Sequence, residues 1–287
     1  METRETSKRL RGWRKIAGAT WGRPVDPQIY GELELDAGGM QGYIAKARTR
    51  GVKLTVTHLV GRACAYAIAQ NPEVNVRLRP GRSVPRGSVD VFFIVAADEG
   101  RELTGVKVTD SDKKSAAELS AELRARTGRV QAGDDDGLGM AKPILDRLPV
   151  PLLRVVLRLA AWLTSDRDVD LRRFGMTRQA FGSAMVSSLG MFGIERAWAP
   201  LSPYYRVPLL VLVGEVTPKP VAVGNAVQVR SRVCLGVTMD HRYLDGHHAG
   251  RLASCVRAYC ADPESFEPPL PPAESQEPPM EVKSPRQ

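Results

Sequence analysis

Apolar and polar positions alternate from Ile29 to Asp36, with Ile29, Gly31, Leu33 and Leu35 on one side and Tyr30, Glu32, Glu34 and Asp36 on the other. A period of two predicts a strand with one face buried and one in water. Gly38–Gly39 end it, and Met40–Arg50 reads as a basic helix. From Thr57 to Gln70 the period lengthens. Leu59, Val60, Ala63, Cys64, Ala67 and Ile68 recur on one helical face, and Asn71–Pro72 closes the segment. Val89–Ala97 is a nearly continuous apolar run, hence a buried strand, and Leu103–Thr109 pairs with it through a turn at Asp98–Gly100. Ser115 with Glu118 three residues on has the capping-box pattern of a helix start, and that helix runs to Arg126. Further strands are expected at Ala184–Leu189, Val207–Val216 and Arg232–Asp240, and a last helix at Gly246–Cys260.

Three segments depart from this pattern. Residues 1–23 are basic and read as a short helix at Lys8–Ala19, broken by Gly22 and Pro24. Residues 131–178 hold a Gly/Asp stretch, the apolar run Pro143–Leu163 and a charged loop. Pro151 suits the first turn of a helix to Leu163, whose charges are Arg154 and Arg158, one turn apart. That helix is too short to span a bilayer. It can make a subunit contact or a lid over a pocket; it can also lie at a membrane surface, as basic amphipathic helices do. Residues 262–287 carry eight of the 21 prolines, with six acids against two bases. Such a composition cannot bury a core, so a disordered tail is expected there.

The charge follows these divisions. The chain is +9 and the tail −4, so residues 1–261 carry +13. No run of about 20 apolar residues predicts a membrane span, and no apolar stretch behind the charged start predicts a secretory leader. Cys64, Cys234, Cys255 and Cys260 show no C-x-x-C spacing, which argues against a zinc site or a disulfide framework. A reducing cytoplasm is the expected compartment. Aromatic residues, at 6%, are too few for a single-strand stacking platform, and the scattered basic surplus accompanies no recognition motif, so nucleic acid is not an expected partner.

The segment with chemistry in it is VTMDHRYLDGHHAGRL, residues 237–252. His241 and Asp245 stand four apart where a strand turns into a helix, and Gly246 eases the bend. A histidine oriented by a nearby carboxylate, with an ordinary pKa of ~6.5, suits proton transfer near neutrality; the same pair can equally be structural. His247 and His248 are adjacent, and neighbouring helical residues point to different faces, so no metal is expected. His58, at a helix start, reads as structural, and Cys255 and Cys260 as packed inside.

D-H-R-Y-L-D-G at 240–246 resembles the D-H-R-x-x-D-G signature of the dihydrolipoamide acyltransferase catalytic domain, the core of 2-oxoacid dehydrogenase complexes. VSSLGMFGIERAWAPLSP at 186–203 resembles the family's I-S-[NS]-L-G-M-F-G segment. RGVKLTVTHLVGRACAYAIAQNPEVN at 50–75 is similar to its long helix with the P-E-x-N ending, and residues 89–123 to its next strand pair and helix. The resemblance covers most of 10–130 and 180–260, with the segments in order. It implies an α/β fold (an α+β sandwich) like that of chloramphenicol acetyltransferase, a mixed sheet flanked by helices, assembled as a homotrimer. One catalytic domain at 1–261, with an insertion at 131–178, then precedes the tail. It further implies coenzyme A or acyl-coenzyme A as substrate, His241 as the base that takes the proton of the attacking thiol, Asp245 at the acidic or amide position beside it, and Ser187 as the hydroxyl that hydrogen-bonds the tetrahedral intermediate. In the family the site lies in a channel between neighbouring subunits, coenzyme A entering from one side and dihydrolipoamide from the other. A serine-hydrolase reading lacks the G-x-S-x-G elbow.

Four departures shape the expectation. No lipoyl or subunit-binding domain precedes the catalytic region, so a lipoyl group would come from a separate protein. Gly105, within ELTGVKV, stands where the family usually has proline, close to the expected thiol channel. The 131–178 region replaces a short link, and the Pro/Glu tail replaces the hydrophobic C-terminus that joins trimers into cages. The expected protein is a stand-alone acyltransferase; the rival is a catalytically silent trimeric scaffold or membrane-associated adaptor.

Overall fold

The computed structural model describes residues 26–79, 82–97, 102–131, 148–169, 171, 179–202 and 206–272. The helix expected at Lys8–Ala19 and the tail beyond 272 lie outside them. The alternating segment forms β1 (Gln28–Asp36), antiparallel to the second half of a long β9 (Ala226–Asp240), from Gln28 opposite Asp240 to Asp36 opposite Arg232. On the other side of β9 comes β7 (Leu209–Val213), antiparallel to it. Next come β6 (Ala184–Ser188) and β4 (Val91–Ala97), with β7, β6 and β4 all parallel, and β5 (Glu102–Val108) closes the edge antiparallel to β4. This is the expected mixed sheet. A small separate hairpin joins β2 (Val76–Arg79) and β3 (Arg82–Pro85).

Helices α1 (Gly38–Thr49), α2 (Val56–Gln70), α3 (Ala116–Gln131) and α5 (Gly246–Ala261) cover one face. Leu33, Leu35, Phe93, Val211 and Leu235 from the strands meet Leu59, Val60, Ala63, Leu252 and Tyr259 from the helices. Gly61 lets α2 approach closely: a β-carbon there would run into the Phe93 ring. The other face carries a smaller cluster, Met185, Val207, Leu210 and Leu212, bordered by Phe92, Ile94 and Phe181.

The strand expected at Arg232–Asp240 is six residues longer, beginning at Ala226, and an unexpected β8 (Thr217–Val223) pairs with its first half. The Gly224–Asn225 turn between two apolar alternations is the signal for this hairpin. Among the described residues Ala226–Arg230 pairs with β8 alone, and Val223, Val227 and Val229 are exposed, the last two by about three-quarters.

The expected boundary at 261 also shifts. Pro263–Ser265 forms a 3₁₀ turn, Phe266 stacks edge-on against Tyr66 at 5.1 Å, and Glu267 is buried. Two residues of this proline-rich stretch therefore have partners in the body, and residues 262–272 belong to it.

The helix expected at Pro151–Leu163 is α4 (Val150–Ala161), which widens into a π-turn at Trp162–Asp166. Bidentate bonds of 2.7 and 3.0 Å from Arg77 to Asp168 tie the following segment to β2. Among the described residues no helix is long and apolar enough to cross a membrane.

His58 is structural, as expected. Its backbone N–H donates to Thr55 Oγ1 and its ring Nδ1 accepts from the Thr55 N–H, closing a reciprocal cap on α2. Burial, assisted by the charge of Arg124, pushes its pKa down to about 4. The unfolded chain takes that proton near pH 6.5, so the stability is complete above that value and is lost as pH falls toward 4, about 3 kcal/mol in all. His58→Gln can keep the cap through its amide oxygen but does not titrate. Thermal unfolding of this variant should therefore depend less on pH between 6.5 and 4 than that of the parent.

Candidate active site

His241 follows the last residue of β9, where its backbone N–H donates to Pro27 O. Asp240, buried at the strand end, accepts the N–H groups of Tyr243 and Leu244 on its carbonyl and that of Arg242 on its carboxylate, which also holds the Arg242 guanidinium. The turn is thus tied to the sheet on both sides. The imidazole is exposed, and its Nδ1 lies 2.7 Å from Leu244 O. A carbonyl only accepts, so Nδ1 carries the hydrogen and Nε2 keeps its lone pair facing out of the turn.

Asp245 does not do what its spacing suggested. Its carboxylate accepts from the His247 and His248 N–H groups at the start of α5 and lies 2.7 Å from the His248 ring. These donors, those of His248 first, hold its pKa below the usual carboxylate range. The partner of the His241 ring is the Leu244 carbonyl, and Asp245 acts one step away, by fixing where α5 begins. A spacing of four could not distinguish these, because both acceptors lie in the same short turn. His247 and His248 make ring and cap contacts, and among the described residues no group of three or more His, Cys, Asp or Glu side chains could hold a metal.

Ser187 lies on β6, in a row that runs Gly105, Ile94, Ser187, Leu212, Gly236 across β5, β4, β6, β7 and β9. It is buried on the face away from the helices, and its hydroxyl makes no hydrogen bond among the described residues. His241 is five residues beyond Gly236 and two strands over. That places the pair roughly 16 Å apart along the strands alone, at 3.3 Å per residue. One chain therefore does not bring Ser187 and His241 to a common atom. Gly105 has a clear neighbour: the Phe92 ring occupies the position a β-carbon would take, and Phe92 itself packs on Phe181 at a centroid distance of 5.0 Å. An aromatic pair thus fills the space beside Gly105, which the sequence pattern left unseen.

A mixed sheet with helices on one face thus carries an exposed histidine at the end of β9 and a buried serine on its open face. The profile of the 2-oxoacid dehydrogenase acyltransferase catalytic domain matches residues 27–135 and 158–267, and the chain belongs to that family. The match is interrupted only between 135 and 158, a narrower break than the 131–178 expected, and of α4 it includes only the end from Arg158 onward. A relative, the dihydrolipoyllysine-residue acetyltransferase component of the pyruvate dehydrogenase complex of Pseudomonas aeruginosa, is 27% identical over 222 residues, which is 76% of this chain and 32% of that protein. The chain spans a third or less of the length of the first curated relatives it matches. Among solved structures, a probable dihydrolipoamide acetyltransferase from Listeria monocytogenes superposes with a TM-score of 0.63 at 19% identity, covering 93% of this chain and 98% of that one. A structure of the Azotobacter vinelandii dihydrolipoamide acetyltransferase, determined to examine the roles of a serine, a histidine and an asparagine in catalysis, gives 0.62 at 21% identity and 84% of both chains.

Proposed function

We propose that this protein transfers an acyl group between coenzyme A and a thiol acceptor of the dihydrolipoamide type, in a site completed by a second copy of the chain. The observation that carries this reading is the His241 ring, locked with Nδ1–H on Leu244 O and Nε2 open, within a member of an acyltransferase family. The acceptor thiol gives its proton to Nε2 as its sulfur attacks the thioester carbon. The carbonyl electrons move to oxygen, and the oxyanion accepts a hydrogen bond from Ser187 of a neighbouring copy. Collapse expels the coenzyme A thiolate, which regains the proton from Nε2. A thiol of pKa ~8.5 is only partly ionised at neutral pH, so a positioned base is what the step needs.

The second copy is required by the separation of Ser187 from His241, and two exposed apolar surfaces offer it contact. One is the β8–β9 ribbon with Val227 and Val229; the other is the segment after β6, where Met191, Phe192, Ile194 and Trp198 are exposed. A homotrimer is the assembly we assign, with any lipoyl group carried by a separate protein. The test is exchange of acetyl groups between acetyl-coenzyme A and dihydrolipoamide by the purified trimer. Ser187→Ala should lower kcat by about 10²-fold, the worth of one oxyanion donor of about 3 kcal/mol, with little change in KM. A parent protein without exchange activity would overturn the reading.

A second reading concerns α4. Its exposed half carries two strips: Arg154 and Arg158 on one, and Leu152, Val155 and Leu159 beside it, continued by Trp162 at the start of the π-turn. Arg167 covers the Trp162 ring at 4.7 Å. Cations bordering an apolar strip with an indole suit the surface of an anionic bilayer, and this membrane-associated placement is compatible with catalysis. Co-sedimentation with phosphatidylglycerol-containing vesicles should exceed that with phosphatidylcholine alone and fall about tenfold or more in Val155→Glu/Leu159→Glu. Equal sedimentation of parent and variant would remove it.

A further inference from the structure

Between the sheet and the helices α2 and α5 lies an apolar cavity of about 130 Å³, partly open at the surface, that neither His241 nor Ser187 lines. We propose that it is a binding site for one small neutral apolar molecule, a benzene-sized hydrocarbon or a side group of that size.

The walls set the chemistry. Val211, Leu235, Val237 and Met239 come from the strands, and Leu252 and Val256 from α5. The titratable groups at the boundary do not alter this. The Glu32 carboxylate turns to Arg196, 3.4 Å away, and burial pushes the Cys64 thiol up to about 12, so it stays neutral. A water needs two to four polar partners to stay in such a space, and these walls do not supply them. Apolar cavities of about this size stay dry and accept benzene or xenon.

The space is not a by-product of backbone geometry. Gly31 on β1 faces it without needing to be glycine: its φ is not positive, and a β-carbon would meet nothing nearer than Met239 Cε at 3.8 Å. Ala67 on α2 and Ala249 and Ala253 on α5 keep the same volume open, although neighbouring positions of both helices carry leucine and valine. Four small residues on three elements converge on one point. The location adds a consequence: Met239 lies two residues before His241, and Ala249 four after Asp245. An occupant touches both elements that leave the catalytic turn, β9 and α5, and braces one against the other.

Benzene is the probe. The purified full-length protein should unfold at a temperature higher by about 2 °C or more in benzene-saturated buffer than in buffer alone. Ala253→Leu fills the cavity and should lose this rise; Ala67→Val, a smaller change on a different helix, should reduce it and serves if the leucine variant does not fold. Absence of a rise in the parent overturns the proposal, as does an equal rise in the filled variant, which would place benzene elsewhere. The exchange reaction is not needed as a readout, so this result stands or falls apart from the proposed function.

Discussion

Replacing His241 by alanine is expected to lower acyl exchange by about 10³-fold or more while leaving the unfolding temperature of the protein unchanged. Both halves follow from the same geometry. The ring is exposed, and its one hydrogen bond, from Nδ1 to Leu244 O, closes a turn already held by Asp240 through three backbone N–H groups. Little folding stability depends on it. The proposed proton transfer depends on it, because its ring nitrogen Nε2 is the base assigned to the attacking thiol. Arg242 is a cation committed to Asp240, and Asp245 is committed to the first amides of α5 and to His248. Asp245→Asn is the informative companion. Asparagine caps a helix as well as aspartate does, so α5 still starts in place, and exchange should stay within about threefold of the parent. A loss with Asp245→Asn comparable to that of His241→Ala would mean that the carboxylate contacts the imidazolium during turnover, contrary to the arrangement seen.

The largest stability effect is expected at the opposite end of the domain, at Glu267. Its carboxylate accepts from the Ala116 N–H and, at 2.7 Å, from the Tyr259 hydroxyl, and it lies 3.2 Å from Arg62 Nε. Arg62 and Glu267 are both buried. Burial, together with the carboxylate beside Tyr259, raises the phenol well above its ordinary range, so the phenol stays a donor. Glu267→Ala removes one acceptor and leaves a buried guanidinium, a phenol and the first amide of α3 unsatisfied. The expected cost is about 3–5 kcal/mol, read from urea unfolding. Exchanging both charges for apolar groups, Arg62→Met with Glu267→Leu, should recover part of it, since the guanidinium is then no longer stranded. A Glu267→Ala variant within about 1 kcal/mol of the parent would show that water reaches the site.

Much of this molecule is legible in its residues because the relevant signals are local. Alternation marks β1, a lengthened period marks α2, and Ser115 with Glu118 marks the start of α3; each depends on neighbours within a few positions. The turn that holds His241 is legible for a related reason: the D-H-R-Y-L-D-G run lies within seven residues, and it resembles the family's motif. The first half of β9 and all of β8 escaped, although Gly224–Asn225 marks their turn. Their residues are polar or exposed on both faces, and a ribbon that does not cover a core leaves only a weak periodic imprint.

What only the tertiary structure decided are the relations between distant segments. Composition placed residues 262–272 in a disordered tail, yet Phe266 and Glu267 find Tyr66, Tyr259, Arg62 and Ala116 from three helices. The spacing of His241 and Asp245 was plain in the sequence, but which acceptor faces the ring depended on where α5 begins. Likewise, no pattern along the chain could show that Gly31, Ala67, Ala249 and Ala253 face one cavity, or that Ser187 and His241 stand too far apart to share a substrate atom in one subunit. Periodicity and capping act between neighbours, whereas burial, pairing of charges and empty volume depend on residues brought together from across the whole chain.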